Sequence, residues 1–203
     1  MRRLVVLGPP ASDRMTVAEL IAGRLGVPVV SLATVVQAEV RAQSPASVEF
    51  LRFMHAGELA PDELLLPMLL NHLDDNGFVL HGFPHSRTQA AVLTTSGPPL
   101  DRVVDLVLPD REITRRLTGR RVCRGCGRAW HAEFDPPPEP GRCGRCGGEV
   151  FQRDDDSPRM VAVKLSSHRD RFAPVLEYYK QQGLLVNVDA TLPLEQIAEA
   201  ATC

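Results

Sequence analysis

The chain has neither a strong net charge nor a long apolar run. Its 203 residues carry a formal net charge of −2. A balance this close to neutral argues against broad binding to nucleic acid. No apolar run reaches the roughly 18 residues that would suggest a membrane span. We therefore expect neither a nucleic-acid partner nor a membrane partner.

The cysteines are the most informative residues that the chain does contain. Four of the five form two Cys-x2-Cys pairs, at Cys123 and Cys126 and at Cys143 and Cys146. The apolar run near the start, residues 3–7, is too short for a signal peptide and is typical of a buried strand. Paired cysteines without a secretion signal favour thiolates held by a metal in a reducing compartment. We expect a cytoplasmic protein.

Two facing pairs of this spacing supply four soft ligands at the corners of a tetrahedron, which is the structural zinc arrangement. With four protein ligands, no position is left for a catalytic water. A nucleic-acid-binding zinc ribbon is the second interpretation. It ranks lower because acidic residues such as Glu133 and Asp135 partly offset the arginines of this segment.

Short apolar runs alternate with helical patterns along the chain. Strands are predicted at 3–7, 29–32, 78–80, 103–108 and 184–188, with helices at 16–25, 34–42, 47–56, 61–73, 86–94, 111–117, 160–182 and 194–201. This alternation predicts a parallel sheet with helices on both faces. Ligands bind such sheets at the carboxyl ends of the strands, so the candidate segments are 8–16, 32–34 and 81–85.

The order of these parts resembles the bacterial adenylate kinases of the long, zinc-containing type. The resemblance rests on the cysteine insert followed by residues 151–156, on Gly82, Phe83 and Pro84, and on segments 57–59 and 61–63. It implies a three-layer fold of the P-loop nucleoside monophosphate kinase type. Residues 1–118 and 157–203 would form the core, with an AMP-arm-like helical segment at about 31–60. Residues 119–156 would be a zinc-binding lid over ATP.

Part of the family's site is retained. The resemblance assigns Arg116 to the adenine of ATP and Gln89 to the segment beside the AMP site. It assigns Arg120, Arg153 and Lys164 to phosphates, although lysine lacks the planar, two-pronged geometry of arginine. Asp155 and Asp156 match an acidic pair that helps the lid to close.

The phosphate loop departs from the family pattern Gly-x4-Gly-Lys-[Ser/Thr]. Gly8 and Thr16 remain, whereas Ala11, Asp13 and Met15 replace glycines and Arg14 replaces the lysine. Side chains at glycine positions are expected to hinder the backbone from wrapping phosphates. The Asp13 carboxylate would also repel phosphate, by about 4 kcal/mol at ~4 Å and an effective dielectric of about 20.

The acceptor side departs further. Thr34 and His81 occupy positions where the family has acids that support magnesium, and Gln37 and His85 occupy positions of its AMP arginines. Magnesium prefers oxygen ligands, so the missing acids argue against its usual binding. His81 and His85 could instead supply new chemistry, as a general base or as metal ligands, although either could be a packed or solvated histidine.

These losses lead to a functional prediction. The first hypothesis is an adenylate-kinase-like pseudoenzyme that binds a nucleotide, another phosphorylated small molecule or a protein partner and has little ATP–AMP phosphotransfer. The alternative is a divergent phosphotransferase or nucleotide hydrolase with Arg14, His81, His85, Arg120 and Arg153 in its site. An ordinary adenylate kinase ranks last. A monomer is expected.

Overall fold

The computed structural model describes residues 2–58 and 60–203, so the end of the predicted arm at Leu59 lies outside the described residues. The helices in the described chain are α1 (Arg14–Leu25), α2 (Leu32–Arg41), α3 (Pro45–Ala56), α4 (Asp62–Leu70), α5 (Arg87–Ser96), α6 (Asp110–Gly119), α7 (Pro158–Gln181) and α8 (Leu194–Thr202), with a 3-10 turn at Asp154–Asp156. The strands are β1 (Arg3–Leu7), β2 (Val29–Ser31), β3 (Phe78–His81), β4 (Arg102–Val107), β5 (Arg120–Cys123), β6 (Ala129–His131), β7 (Val150–Phe151) and β8 (Leu185–Asp189). None of these helices is long and apolar enough to cross a membrane.

Five strands form one parallel sheet in the order β2-β3-β1-β4-β8. The predicted α/β fold with a five-stranded parallel sheet flanked by helices is therefore confirmed. β1 is the central strand, and Leu4 to Leu7 are almost fully buried, as a strand covered on both faces must be. The chain leaves β1 toward one side of the sheet for β2 and later returns to the other side for β4. Such a reversal opens a crevice at the carboxyl end of the central strand.

The chain divides into two compact units. The first contains Met1–Gly8, Asp13–Val107 and Asp170–Cys203, and therefore the whole parallel sheet. Its core joins the sheet to α4, α5 and the end of α7 through residues such as Leu80, Leu69, Leu93 and Tyr179. Burying this many large apolar side chains, each contributing about 1.5–3 kcal/mol, holds the strand ends in place.

The second unit contains Pro9–Ser12 and Leu108–Arg169. Its sheet is antiparallel, in the order β6-β5-β7. The sequence analysis assigned no strands here, because β5 and β7 are four and two residues long and carry no readable alternation. A small core of Cys123, Trp130, Cys143 and Val150 packs this sheet against the cysteine turns.

Candidate nucleotide and metal sites

The loop between β1 and α1 takes turns that favour glycine, although it contains little glycine. Gly8 has a φ of 154°, Ala11 of 62° and Asp13 of 55°. The left-handed conformation costs a residue with a Cβ about 1–2 kcal/mol. Buried Ser12 helps to hold the turn, since its hydroxyl donates to the Pro9 carbonyl oxygen over 2.8 Å. Side chains at positions 11 and 13 therefore do not prevent the left-handed turns, and the expected hindrance to wrapping phosphates stays a prediction.

Arg14 begins α1 and is half-buried. Its guanidinium makes no hydrogen bond or ion pair with any of residues 2–58 and 60–203. Burial lowers its pKa from the ordinary arginine value. A cation removed from water without a partner is unfavourable, whereas an anion beside it would restore the balance. The N-terminus of α1 also attracts anions, because its first backbone N–H groups have no partner within the helix. Thr16 lies in this first turn.

His81 and His85 lie at one cavity of about 570 Å³ in the first unit. His81 ends β3, and His85 lies just before α5. The cavity lining consists of Ser31, Leu32, Ala33, Val36, Gln37, Phe50, Met54, Leu65, His81, Gly82 and His85. Burial and then the positive charge of Arg14 lower the pKa of both histidines. The structure thus brings both predicted histidines together and adds Phe50, Met54 and Leu65, which the sequence analysis did not single out.

Gln89 makes hydrogen bonds to His85, which lines this cavity, and to α4. Its side-chain oxygen accepts a hydrogen bond from the His85 backbone N–H over 2.7 Å, and its amide nitrogen donates to Asp62 over 2.7 Å. The side chain therefore links α5, the backbone of His85 and α4. Sequence reasoning marked Gln89 through the family resemblance alone and gave no sign of Asp62 as its partner.

Three of the predicted phosphate-binding cations meet in the second unit around two aspartates. Arg120 donates to fully buried Asp156 at 2.8 and 2.6 Å, and Lys164 reaches the same carboxylate at 3.3 Å. Asp155 accepts from Arg153 at 2.8 Å and from Lys164 at 2.8 Å. The Arg153 hydrogen bond, followed by that of Lys164, holds the pKa of Asp155 below its usual range. This network keeps the cations in place without a bound ligand.

Arg116 lies apart from that network. Its guanidinium donates to Glu112 at 3.0 Å and to the Ala11 carbonyl oxygen at 3.0 Å. Glu112 is one turn earlier on α6, so this pair also supports the helix. The predicted adenine-contacting arginine is thus held by two protein acceptors.

Asp156→Asn is expected to lower the free energy of unfolding by about 3 kcal/mol, because two cations would lose their buried anionic partner. Urea unfolding followed by circular dichroism measures the change. Asp154→Asn is the matched control, since Asp154 lies in the same turn but is exposed. Equal stabilities of the two variants would show that the buried carboxylate contributes nothing beyond its volume.

The four cysteine sulfurs lie within 4.8 Å of one another. Cys123 and Cys146 are 3.5 Å apart, and Cys126 and Cys143 are 3.7 Å apart. A tetrahedral ion with bonds of about 2.3 Å to sulfur requires sulfur separations of about 3.8 Å, so the cluster fits such an ion. The pKa of Cys123 lies below its ordinary value, chiefly because the Cys126 backbone N–H donates to its sulfur. The four predicted cysteines are therefore placed to bind a metal.

Two glycines lie beside this cluster. A Cβ on Gly148 would lie 3.2 Å from the Cys123 sulfur and 3.3 Å from the Cys146 sulfur. The sulfurs would have to shift by a few tenths of an ångström to accommodate it. The second cysteine turn also ends in Gly147, whose φ is 71°. These glycines explain how two short turns bring four thiolates to one point.

The strand order, the helix beginning at the carboxyl end of the central strand and the metal-binding insert define the nucleoside monophosphate kinase class of α/β fold. A model of the adenylate kinase family matches residues 6–184. The chain is 45% identical to an adenylate kinase of Salinispora tropica, over 98% of this chain and 95% of that protein. It is 40% identical to an adenylate kinase of Acidothermus cellulolyticus, with the same coverage of both chains. The chain therefore belongs to the adenylate kinase family.

The prediction of a pseudoenzyme with a degenerate phosphate loop, and with it the divergent alternative, is contradicted by these relatives. Proteins named adenylate kinase are 35–45% identical to the chain over nearly its whole length, which supports the ordinary activity that the sequence analysis ranked last. The Asp13 carboxylate is exposed, so water and salt screen its repulsion of phosphate.

Proposed function

We propose that the protein is an adenylate kinase, which transfers the γ-phosphoryl group of ATP to AMP and yields two ADP. A phosphate oxygen of AMP attacks the γ-phosphorus, the bond from that phosphorus to the β-bridging oxygen breaks, and ADP leaves. The observation that carries the proposal is the similarity to proteins named adenylate kinase over almost the full length of the chain.

Each unit, taken by itself, contains cations of the kind that this reaction needs. Phosphoryl transfer depends on positive groups that position the phosphates and stabilise the charge developing on them. In the first unit, Arg14 and the N-terminus of α1 offer an unpartnered positive charge. In the second, Arg120, Arg153 and Lys164 would exchange part of their contact with Asp155 and Asp156 for phosphate. Arg116 would stack on the adenine, and residues 119–156 would form the lid.

The acceptor would bind in the cavity beside His81 and His85. Its volume of about 570 Å³ suits a mononucleotide, and its apolar residues from α2, α3 and α4 suit a base. The metal held by Cys123, Cys126, Cys143 and Cys146 would be zinc in a structural role, because all four tetrahedral positions are taken by thiolates. Thiolates of this kind need a reducing compartment, so we also propose a cytoplasmic enzyme, and the monomeric state stays a prediction.

A coupled assay tests the function. With ATP and AMP at saturating concentrations, the purified protein is expected to form ADP at 1–10³ per second, the usual range of enzyme turnover. GMP, CMP and UMP serve as alternative acceptors. Varying the concentration of free magnesium tests whether the missing acids weaken its binding, which stays a prediction. Absence of ADP with AMP, in protein that contains its metal, would refute the proposed function.

A further inference from the structure

The side chains of His81 and His85 line the proposed acceptor cavity. Neither imidazole has a hydrogen-bond partner among residues 2–58 and 60–203, and the Nδ1 atom of His85 is sealed from water. His85 packs edge-on against Phe83 and Phe172, at ring distances of 6.5 and 5.8 Å. Because its Nδ1 is enclosed, Nε2 is the ring nitrogen that is left for a ligand. Histidines that line a cavity and have no hydrogen-bond partner in the described chain are available to bind a ligand.

The described lining of this cavity contains no arginine or lysine. Its polar side chains are those of Ser31, Gln37 and the two histidines. Gln37 and Ser31 supply neutral donors only. An acceptor nucleotide brings a phosphate with a second pKa of about 6, which is a dianion above that pH. Of the lining side chains, the histidines alone can supply a positive charge to meet it.

Burial, and then the charge of Arg14, lowers the pKa of both histidines and so favours their neutral form without a ligand. His81 lies near Arg14 on α1, which lowers its pKa, and near Glu19 on the same helix, which raises it. His85 lies near Arg14, Arg171 on α7 and Asp62 on α4. The two arginines lower its pKa and the aspartate raises it, while burial is the largest influence on both rings and acts downward. An arriving dianion reverses this balance, since it offsets Arg14 and attracts a proton to an adjacent imidazole.

We propose that His81 and His85 bind the phosphate of the acceptor, a phosphomonoester dianion, and that binding of the acceptor takes up a proton from solution. The inference rests on the proposed function, because it takes the cavity as the acceptor site. Affinity for the acceptor then rises as pH falls, by linkage between proton binding and acceptor binding. ATP is assigned to other residues, and it would share this dependence only through Arg14, whose charge lowers the pKa of both histidines.

The first experiment measures KM for AMP and KM for ATP between pH 6.5 and pH 8. KM for AMP is expected to fall about tenfold as the pH is lowered across this range, and KM for ATP to change less than KM for AMP. His81→Gln and His85→Gln should each raise KM for AMP at pH 6.5 and flatten its profile. His85→Arg supplies a permanent charge and should give a low KM with a flat profile. His55→Gln is the control, since His55 is exposed and is not among the residues that line the cavity.

The second experiment does not depend on turnover. Calorimetric titration of AMP into the protein at pH 7.5, in two buffers with different ionisation enthalpies, gives the number of protons taken up. We expect between about 0.5 and 1 proton per AMP in the wild type and close to zero in the His81→Gln, His85→Gln double variant.

The outcomes separate the two proposals. Absence of turnover with AMP refutes the proposed function. Turnover with a KM for AMP that does not depend on pH, together with no proton uptake, overturns the histidine inference and leaves the proposed function standing. A pH-dependent KM that persists unchanged in both single glutamine variants also overturns it, because another group must then bind the proton.

Discussion

Arg14→Met is expected to lower kcat/KM for ATP about a thousandfold. Arg14 is a half-buried cation at the N-terminus of α1 with no hydrogen-bond or ion-pair partner in the described part of the chain, so a bound phosphate is the group that would use its charge. Removing one preorganised charged or hydrogen-bonding group from a transition state costs about 10²–10³ in rate. Loss of a full positive charge beside the transferred phosphoryl group should lie at the upper end of that range. Steady-state kinetics with varied ATP measure the effect.

Two further variants interpret the result. Arg14→Lys keeps the charge and is expected to retain activity within about thirtyfold of the wild type, because lysine loses the planar, two-pronged geometry but remains a cation and a donor. Arg87→Met removes an exposed arginine from the first position of α5 and should leave kcat/KM for ATP unchanged. Equal activities of Arg14→Met and Arg87→Met would refute the role assigned to Arg14.

Removal of the metal is expected to unfold the cysteine-bearing part of the second unit. Metal binding to a structural site of this type contributes on the order of ten kcal/mol, and the small core of this sheet is built around two of the cysteines. Trp130 is the single tryptophan of the chain and belongs to that core. Its fluorescence should therefore shift to longer wavelength when a chelator is added and return when zinc is restored.

Cys143→Ser should reproduce the effect without a chelator. We expect elemental analysis to find about one zinc per chain in the wild type and much less than that in this variant, with loss of phosphotransfer. Cys203→Ser is the matched control, because Cys203 is exposed and is not one of the four clustered cysteines. Full zinc content in Cys143→Ser would contradict the four-thiolate site.

The sheet and the metal site could be predicted from the sequence because their signals are local. Buried parallel strands appear as short apolar runs, and β1 and β3 were located in this way to within a residue. The Cys-x2-Cys spacing likewise indicates, from the sequence alone, that each pair of thiolates lies on one turn. The strands of the second unit could not be predicted, since β5, β6 and β7 are only two to four residues long and carry no readable alternation.

The functional prediction failed for a different reason. It counted residues that differ from the family pattern and assigned each difference an energy without knowing its surroundings. The penalty for Asp13 depends on whether its carboxylate is buried, and the penalty for Ala11 depends on the conformation of the loop. Likewise, Asp156 was noted as one of an acidic pair, but nothing in the sequence showed that it is fully buried between Arg120 and Lys164. Burial and three-dimensional neighbours are properties of the fold.

The left-handed turns at Ala11 and Asp13 have a consequence for the entropy of nucleotide binding. Alanine and aspartate have far fewer accessible backbone shapes than glycine, so the segment between β1 and α1 loses less entropy on becoming rigid. A glycine-rich segment would surrender much of that freedom only when the triphosphate arrives. In this chain most of that backbone freedom is already lost before the nucleotide binds. Calorimetry should therefore record a smaller unfavourable entropy of ATP binding for this chain than for a variant with glycine at both positions.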